Sequence, residues 1–141
     1  MTRHVFLNGS IVPYEDATIS IMDRGFLFAD GVYEVSAVLD GKLVDNDAHL
    51  ARLDRSLGEL SIPSPYAAGE WERLQRALIE KNELAEGIVY MQVTRGVAER
   101  DFIFPKDDRP TVVMFTQPKS IVASPLAAAG ASVVTLPDIR W

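Results

Sequence analysis

Four kinds of side chain in this sequence could do chemistry on a small molecule: arginines at 52, 55 and 100, a tyrosine at 33, a glycine-bracketed stretch from Asp23 to Gly31, and the lysines at 42, 81, 106 and 119. An arginine fork donates two parallel hydrogen bonds to a phosphate or carboxylate, and a phenol adds a third donor. Glycines at 25 and 31 allow a tight turn or a close approach of backbone to a ligand. Each of these has a plainer local reading. Arg52 can solvate a helix face beside Arg55, Tyr33 can be a core residue of a strand, Arg100 can be a solvated loop charge between Glu99 and Asp101, and the glycine pair can be ordinary turn chemistry. The four lysines read as exposed charges at a turn, a helix end and loops, and none is nominated as catalytic.

Composition narrows the chemistry further. The 141 residues contain no cysteine and two histidines, His4 and His49, which excludes thiolate sites and argues against a zinc site, so no metal is expected. With 14 basic and 20 acidic residues the net charge is −6, which opposes binding to nucleic acid or an anionic membrane. An anionic ligand therefore needs a local arginine pocket. No apolar run is long enough to span a bilayer and the start lacks a signal-peptide stretch, so the expectation is a soluble, cytoplasmic protein.

The elements that must position these residues follow from patterning. Asn8-Gly9 between Val5-Phe6-Leu7 and Ile11-Val12 predicts a hairpin, and Asp40-Gly41 predicts a second one joining Val32–Leu39 to Lys42-Leu43-Val44. The second, more apolar hairpin is expected to be the central pair of the sheet. Leu50, Leu53, Leu57 and Leu60 recur at helical spacing after a cap at Asp45 or Asn46, with Arg52 and Arg55 off the stripe. Ile62-Pro63-Ser64-Pro65 ends that helix. Trp71, Leu74 and Leu78 mark a second helix ending between Asn82 and Gly87, followed by a strand over 88–94, a charged loop over 96–109 and a strand over 111–116. The predicted fold class is α+β, a small domain of mainly antiparallel sheet with two packed helices over residues 1–118. A linker over 119–131 and the first strand of a second domain over 132–141 complete the organisation.

The string Asp23-Arg24-Gly25-Phe26-Leu27-Phe28-Ala29-Asp30-Gly31-Val32-Tyr33-Glu34-Val35 closely resembles the signature of class IV aminotransferases, the fold-type IV pyridoxal-phosphate enzymes, and among them the D-amino acid transaminases. Asn46 to Leu53, Glu80–Leu84 leading into Tyr90–Gly96, and the terminal Asp138-Ile139-Arg140-Trp141 agree with that family in order and spacing. The resemblance implies pyridoxal 5'-phosphate as cofactor, Arg52 as its phosphate ligand, and Tyr33 and Arg100 as holders of the substrate carboxylate. It also implies a homodimer in which the loop bearing Arg100 reaches the partner's site, and a cofactor lysine a few residues beyond Trp141. No catalytic residue is therefore assigned within the sequence.

One departure bears on substrate. Where the family's D-transaminases place a histidine two residues after the arginine, this sequence has Phe102, which cannot donate to a carboxylate. The implied activity is transamination of D-amino acids with a 2-keto acid acceptor, of the D-alanine or D-glutamate type. An R-selective amine transaminase, a branched-chain transaminase or an aminodeoxychorismate lyase of the same fold stands as the alternative. A noncatalytic dimerising or anion-binding domain is the further alternative for these residues alone.

Overall fold

The computed structural model describes residues 3–107, 109–123 and 125–137. Six strands form one antiparallel sheet: β1 (His4–Leu7), β2 (Ser10–Pro13), β3 (Gly31–Leu39), β4 (Lys42–Leu43), β5 (Gly87–Thr94) and β6 (Thr111–Pro118), in the order β2-β1-β6-β5-β3-β4. The two predicted turns are where the dipeptides place them. Asn8 and Gly9 have φ of 47° and 97°, and Asp40 and Gly41 have φ of 48° and 69°, the positive values that a tight two-residue hairpin demands.

Helix α1 is short (Arg24–Phe28), whereas α2 (Asn46–Glu59) and α3 (Ala68–Lys81) are long and amphipathic. Leu50, Leu53 and Leu57 of α2 and Trp71, Leu74 and Leu78 of α3 are buried as their spacing predicts. They pack on one face of the sheet against Phe6, Val38, Val89, Met91, Val93, Val112 and Met114, forming a single core. Leu60, expected on the same stripe, lies just past the last turn of α2 and remains partly exposed. Asn46 opens α2 without capping it from its side chain. Its amide instead receives a hydrogen bond from the Ser36 hydroxyl at 3.0 Å and donates to Gln75 at 2.9 Å, which ties α2 to β3 and α3 inside the core.

Two expectations about the sheet and its loops are corrected. The β3–β4 hairpin is not the central pair: β4 is an edge strand of two residues, and the centre is β5–β6, paired along their whole length from Gly87 with Pro118 to Thr94 with Thr111. The apolar character of Val32–Leu39 says nothing about its order in the sheet. The stretch around Arg24, read as loop and turn, contains the five-residue helix α1, capped by Asp23 Oδ1, which accepts from the Gly25 amide at 2.8 Å. Within the segment expected as a linker, residues Pro125–Ala129 form a short helix, α4. Residues 131–137 pair with no strand among the described residues, and Asp138 to Trp141, including the terminal motif, lie outside them.

The loop from Arg95 to Pro110, which connects the central strands, begins at a position that only glycine satisfies. Gly96 has φ of 98°, and a Cβ there would collide with the Arg109 carbonyl oxygen. Replacing it must distort the exit of β5 and the return of the loop. Gly96→Ala is expected to lower unfolding free energy by at least about 2 kcal/mol, measured by urea denaturation.

Candidate active site

Alternation along β3 sends Glu34, Ser36 and Val38 toward the helices and Tyr33, Val35 and Ala37 to the opposite face. Glu34 is thus a carboxylate placed in a core, only 2% exposed, and it has partners on α2. Its Oε1 accepts from Arg52 Nε at 2.5 Å and its Oε2 from Arg52 Nη2 at 2.7 Å, while His49 Nδ1 lies 2.9 Å from Oε2. Burial acts to raise the Glu34 pKa, but the hydrogen bonds from Arg52 and His49 outweigh it and hold the carboxyl below its ordinary value. Reciprocally, the Glu34 carboxylate holds Arg52 more firmly charged than an isolated guanidinium.

This bidentate pairing does to Arg52 what a binding site requires. The guanidinium plane is fixed through Nε and Nη2, the side chain is 57% exposed, and Nη1 makes no hydrogen bond among the described residues. An oriented, solvent-facing donor on a fixed cation suits a phosphate. Arg52 is thus a surface charge that is also paired with a buried carboxylate. Glu34 was not singled out from the sequence, yet a carboxylate within the apolar run Val32–Leu39, in phase with Ser36 and Val38, is the signal that marks it.

Tyr33 sits on the other face and is 65% exposed, so it is not a core residue. Its ring stacks on Tyr90 at 5.7 Å between centroids, and Tyr90 stacks on Phe115 at 4.8 Å, giving an aromatic ladder across β3, β5 and β6. Beside the ladder lies a cavity of about 400 Å³ lined by residues that include Ile19, Phe26, Gln92 and Thr111.

Arg100 is elsewhere. Its guanidinium lies 5.3 Å from the centroid of the Phe28 ring and 5.5 Å from that of Phe102. No hydrogen bond, ion pair or ring contact joins it to Tyr33 or Arg52 among the described residues. It is nevertheless more than a solvated charge, because two aromatic faces hold it.

Beneath this loop is a cluster that sequence reasoning did not assign. Asp30 accepts from Arg24 Nε at 2.7 Å and from Arg95 Nε at 2.9 Å, and both arginines are buried. Arg95 also donates to the carbonyls of Leu60 at 2.7 Å and Ser61 at 3.1 Å, where α2 ends. Arg24 Nη1 donates to the Asp101 carbonyl at 2.7 Å, and the Phe104 ring covers Arg95 with 3.8 Å from guanidinium to centroid. Arg24, Asp30 and Arg95 all fall in strings that match the family pattern. Local patterning alone offers no means of pairing residues 65 positions apart.

Burial acts to raise the pKa of Asp30, and the hydrogen bonds and charges of Arg95 and Arg24 more than reverse this, leaving it below its ordinary value. A carboxyl whose folded pKa is depressed stabilises fully above its unfolded value, near about 4, and loses that contribution as pH falls through the lower folded value. Asp30→Asn leaves two buried guanidiniums without their counter-ion and is expected to cost about 3 kcal/mol or more at pH 7. In urea titrations across pH, the gap between Asp30→Asn and the unmodified protein should narrow as the pH drops below about 4.

A six-stranded antiparallel sheet with two helices on one face is the arrangement found in solved structures of fold-type IV aminotransferases. The branched-chain amino acid aminotransferase of Escherichia coli superposes with a TM-score of 0.81 at 20% identity, over 90% of this chain and 43% of that one. The 4-amino-4-deoxychorismate lyase of Pseudomonas aeruginosa gives 0.67 at 26% identity, over 82% and 40%. The family profile described as Amino-transferase class IV matches residues 31–141, and the chain belongs to that family. By sequence it is similar to the D-alanine aminotransferase of Staphylococcus aureus, with 38% identity over 138 residues, 97% of this chain and 49% of that protein. The chain spans about half the length of the curated relatives it matches.

Proposed function

We propose that these residues form the small-domain half of a pyridoxal-phosphate-dependent transaminase that acts on D-amino acids with a 2-keto acid acceptor. The observation that carries this reading is the Arg52–Glu34 fork: a buried carboxylate orients an exposed guanidinium whose remaining donor suits a phosphate. The likeness to D-alanine aminotransferases supplies the hand of the substrate. When bound, the cofactor provides the electron sink for the carbanion formed at the substrate Cα. Arg52 binds its phosphate, and Glu34, with His49 alongside, keeps Arg52 in plane.

On the substrate side, the Tyr33 hydroxyl and the Arg100 guanidinium donate to the α-carboxylate, which is costly to desolvate without such partners. In this proposal the protein is a homodimer, with Arg100 serving the partner's site, and acts in the cytoplasm without nucleic-acid or membrane partners. No helix among the described residues is long and apolar enough to cross a membrane. Residues 1–118 form the small domain, 119–131 the linker, and 132–141 the first strand of a second domain, whose lysine just beyond Trp141 would hold the cofactor and serve as its proton carrier. That strand would bury Val133, Val134 and Leu136, which are exposed in the structure of these residues.

A second reading rests on the exposed apolar run Phe102-Ile103-Phe104 in the loop that bears Arg100. Such a surface suits an apolar substrate group, as an R-selective amine transaminase requires. The full-length protein, loaded with pyridoxal phosphate, should release pyruvate from D-alanine with 2-oxoglutarate as acceptor. It should act far more slowly on (R)-1-phenylethylamine, L-leucine and aminodeoxychorismate. Preference for one of the latter three would replace the D-amino acid assignment. Borohydride reduction followed by intact mass should show one covalent cofactor adduct per chain. Arg52→Ala is expected to weaken cofactor binding by about 10- to 100-fold in an absorbance titration, the loss of a hydrogen bond to a charged group.

A further inference from the structure

We propose that Arg24 is the positioning residue for Arg100, holding in place both the backbone that follows it and the ring beneath its side chain. This rests on the reading of Arg100 as a carboxylate ligand. Arg24 is 3% exposed and divides its guanidinium three ways. Nε is fixed by Asp30 at 2.7 Å, Nη1 donates to the Asp101 carbonyl at 2.7 Å, and the guanidinium carbon lies 4.8 Å from the centroid of Phe28. Asp101 immediately follows Arg100, and Phe28 is one of the two rings over which the Arg100 guanidinium lies. Phe102, the other, is 5.8 Å from Phe28. One buried cation therefore fixes the main chain beside Arg100 and one wall of its aromatic clamp.

The rest of the loop does little to fix that point. Val97 bridges Asp23, the Ala98 amide donates to the Met22 carbonyl at 3.3 Å, and the Ile103 amide bonds to the Asp101 side chain within the loop itself. Phe104, stacked on Arg95, pins the far side. Among the described residues, the bond from Arg24 to the Asp101 carbonyl is the hydrogen bond that ties the backbone beside Arg100 to a buried side chain. Without it, Arg100 would lose entropy on each binding event that the present arrangement has already removed. Phe102 accordingly acts as a face for Arg100, so that this position contributes to holding the arginine and not a hydrogen bond to the carboxylate.

The decisive variant is Arg24→Lys, because an ammonium keeps the charge beside Asp30 but cannot serve Asp30, the Asp101 carbonyl and an aromatic face in one plane. In full-length, cofactor-loaded enzyme, Arg24→Lys should raise KM for D-alanine about 5- to 10-fold and leave kcat within about 2-fold. The inhibition constant of propionate, a carboxylate with no amine to react, should rise by the same factor. Phe28→Leu, which removes the shared ring while keeping Arg24, Asp30 and Arg95 themselves, should show the same split. Arg100→Gln should raise both constants further, and adding Arg24→Lys to it should change neither.

If Arg100→Gln raises both constants while Arg24→Lys and Phe28→Leu leave them alone, the positioning role is overturned and the carboxylate reading stands. Parallel losses of kcat and thermal stability in Arg24→Lys, with KM and the propionate constant unmoved, mean a purely structural residue and also overturn it. If Arg100→Gln moves neither constant, the carboxylate reading itself falls and takes the inference with it.

Discussion

Asp30 holds one carboxylate between two buried guanidiniums, and the rest of the site hangs from that arrangement. A lone arginine in a core is prohibitively costly to desolvate, and two are tolerable only because a shared anion and several carbonyls take up their donors. The geometry then propagates. Arg95 stitches the end of β5 to the carbonyls of Leu60 and Ser61 where α2 stops, Arg24 stitches α1 to the loop at Asp101, and Asp30 itself sits one residue before β3 begins. Strand, both flanking helices and the long loop meet at one ionic point.

The second embedded acid, Glu34, works by a different logic. It is more deeply buried than Asp30, and its arginine is exposed, so the pair converts a core interaction into a surface property: the heading of one guanidinium. Strand periodicity is what makes this possible. The same alternation that faces Glu34 toward α2 faces its neighbour Tyr33 to the other side of the sheet, where it joins a ladder of rings. Two adjacent residues thereby serve opposite surfaces, and both remain near the N-terminal end of β3.

Much of the fold was legible because it depends on short-range rules. Asn8-Gly9 and Asp40-Gly41 are turns for reasons internal to those dipeptides, and the leucine spacing of α2 and the Trp71, Leu74, Leu78 spacing of α3 name their buried faces directly. Strand order was not legible, since Val32–Leu39 looks the same in sequence whether it lies at the centre of the sheet or next to its edge. Helix α1 was hidden by its length, five residues with two phenylalanines and a glycine, held by its Asp23 cap and by Arg24 more than by propensity. In the site, Arg52, Tyr33 and Arg100 were reached through resemblance, and local chemistry favoured plainer accounts of each. What the sequence concealed was the pairing beneath them, for the partners of Asp30 lie 6 and 65 positions away and only the folded chain brings them together.

The bond from Arg24 to residue 101 is made to a main-chain carbonyl, and every amino acid has one. The anchor is therefore indifferent to what the loop displays. Apart from Arg100 and the rings that face it, the residues of this loop can drift in size, charge and polarity over generations while the loop keeps its station, so that new preferences are sampled without first dismantling the mount. A family that spreads one scaffold over many substrates would find such a fixture useful, since it separates the part that must endure from the part that is free to vary.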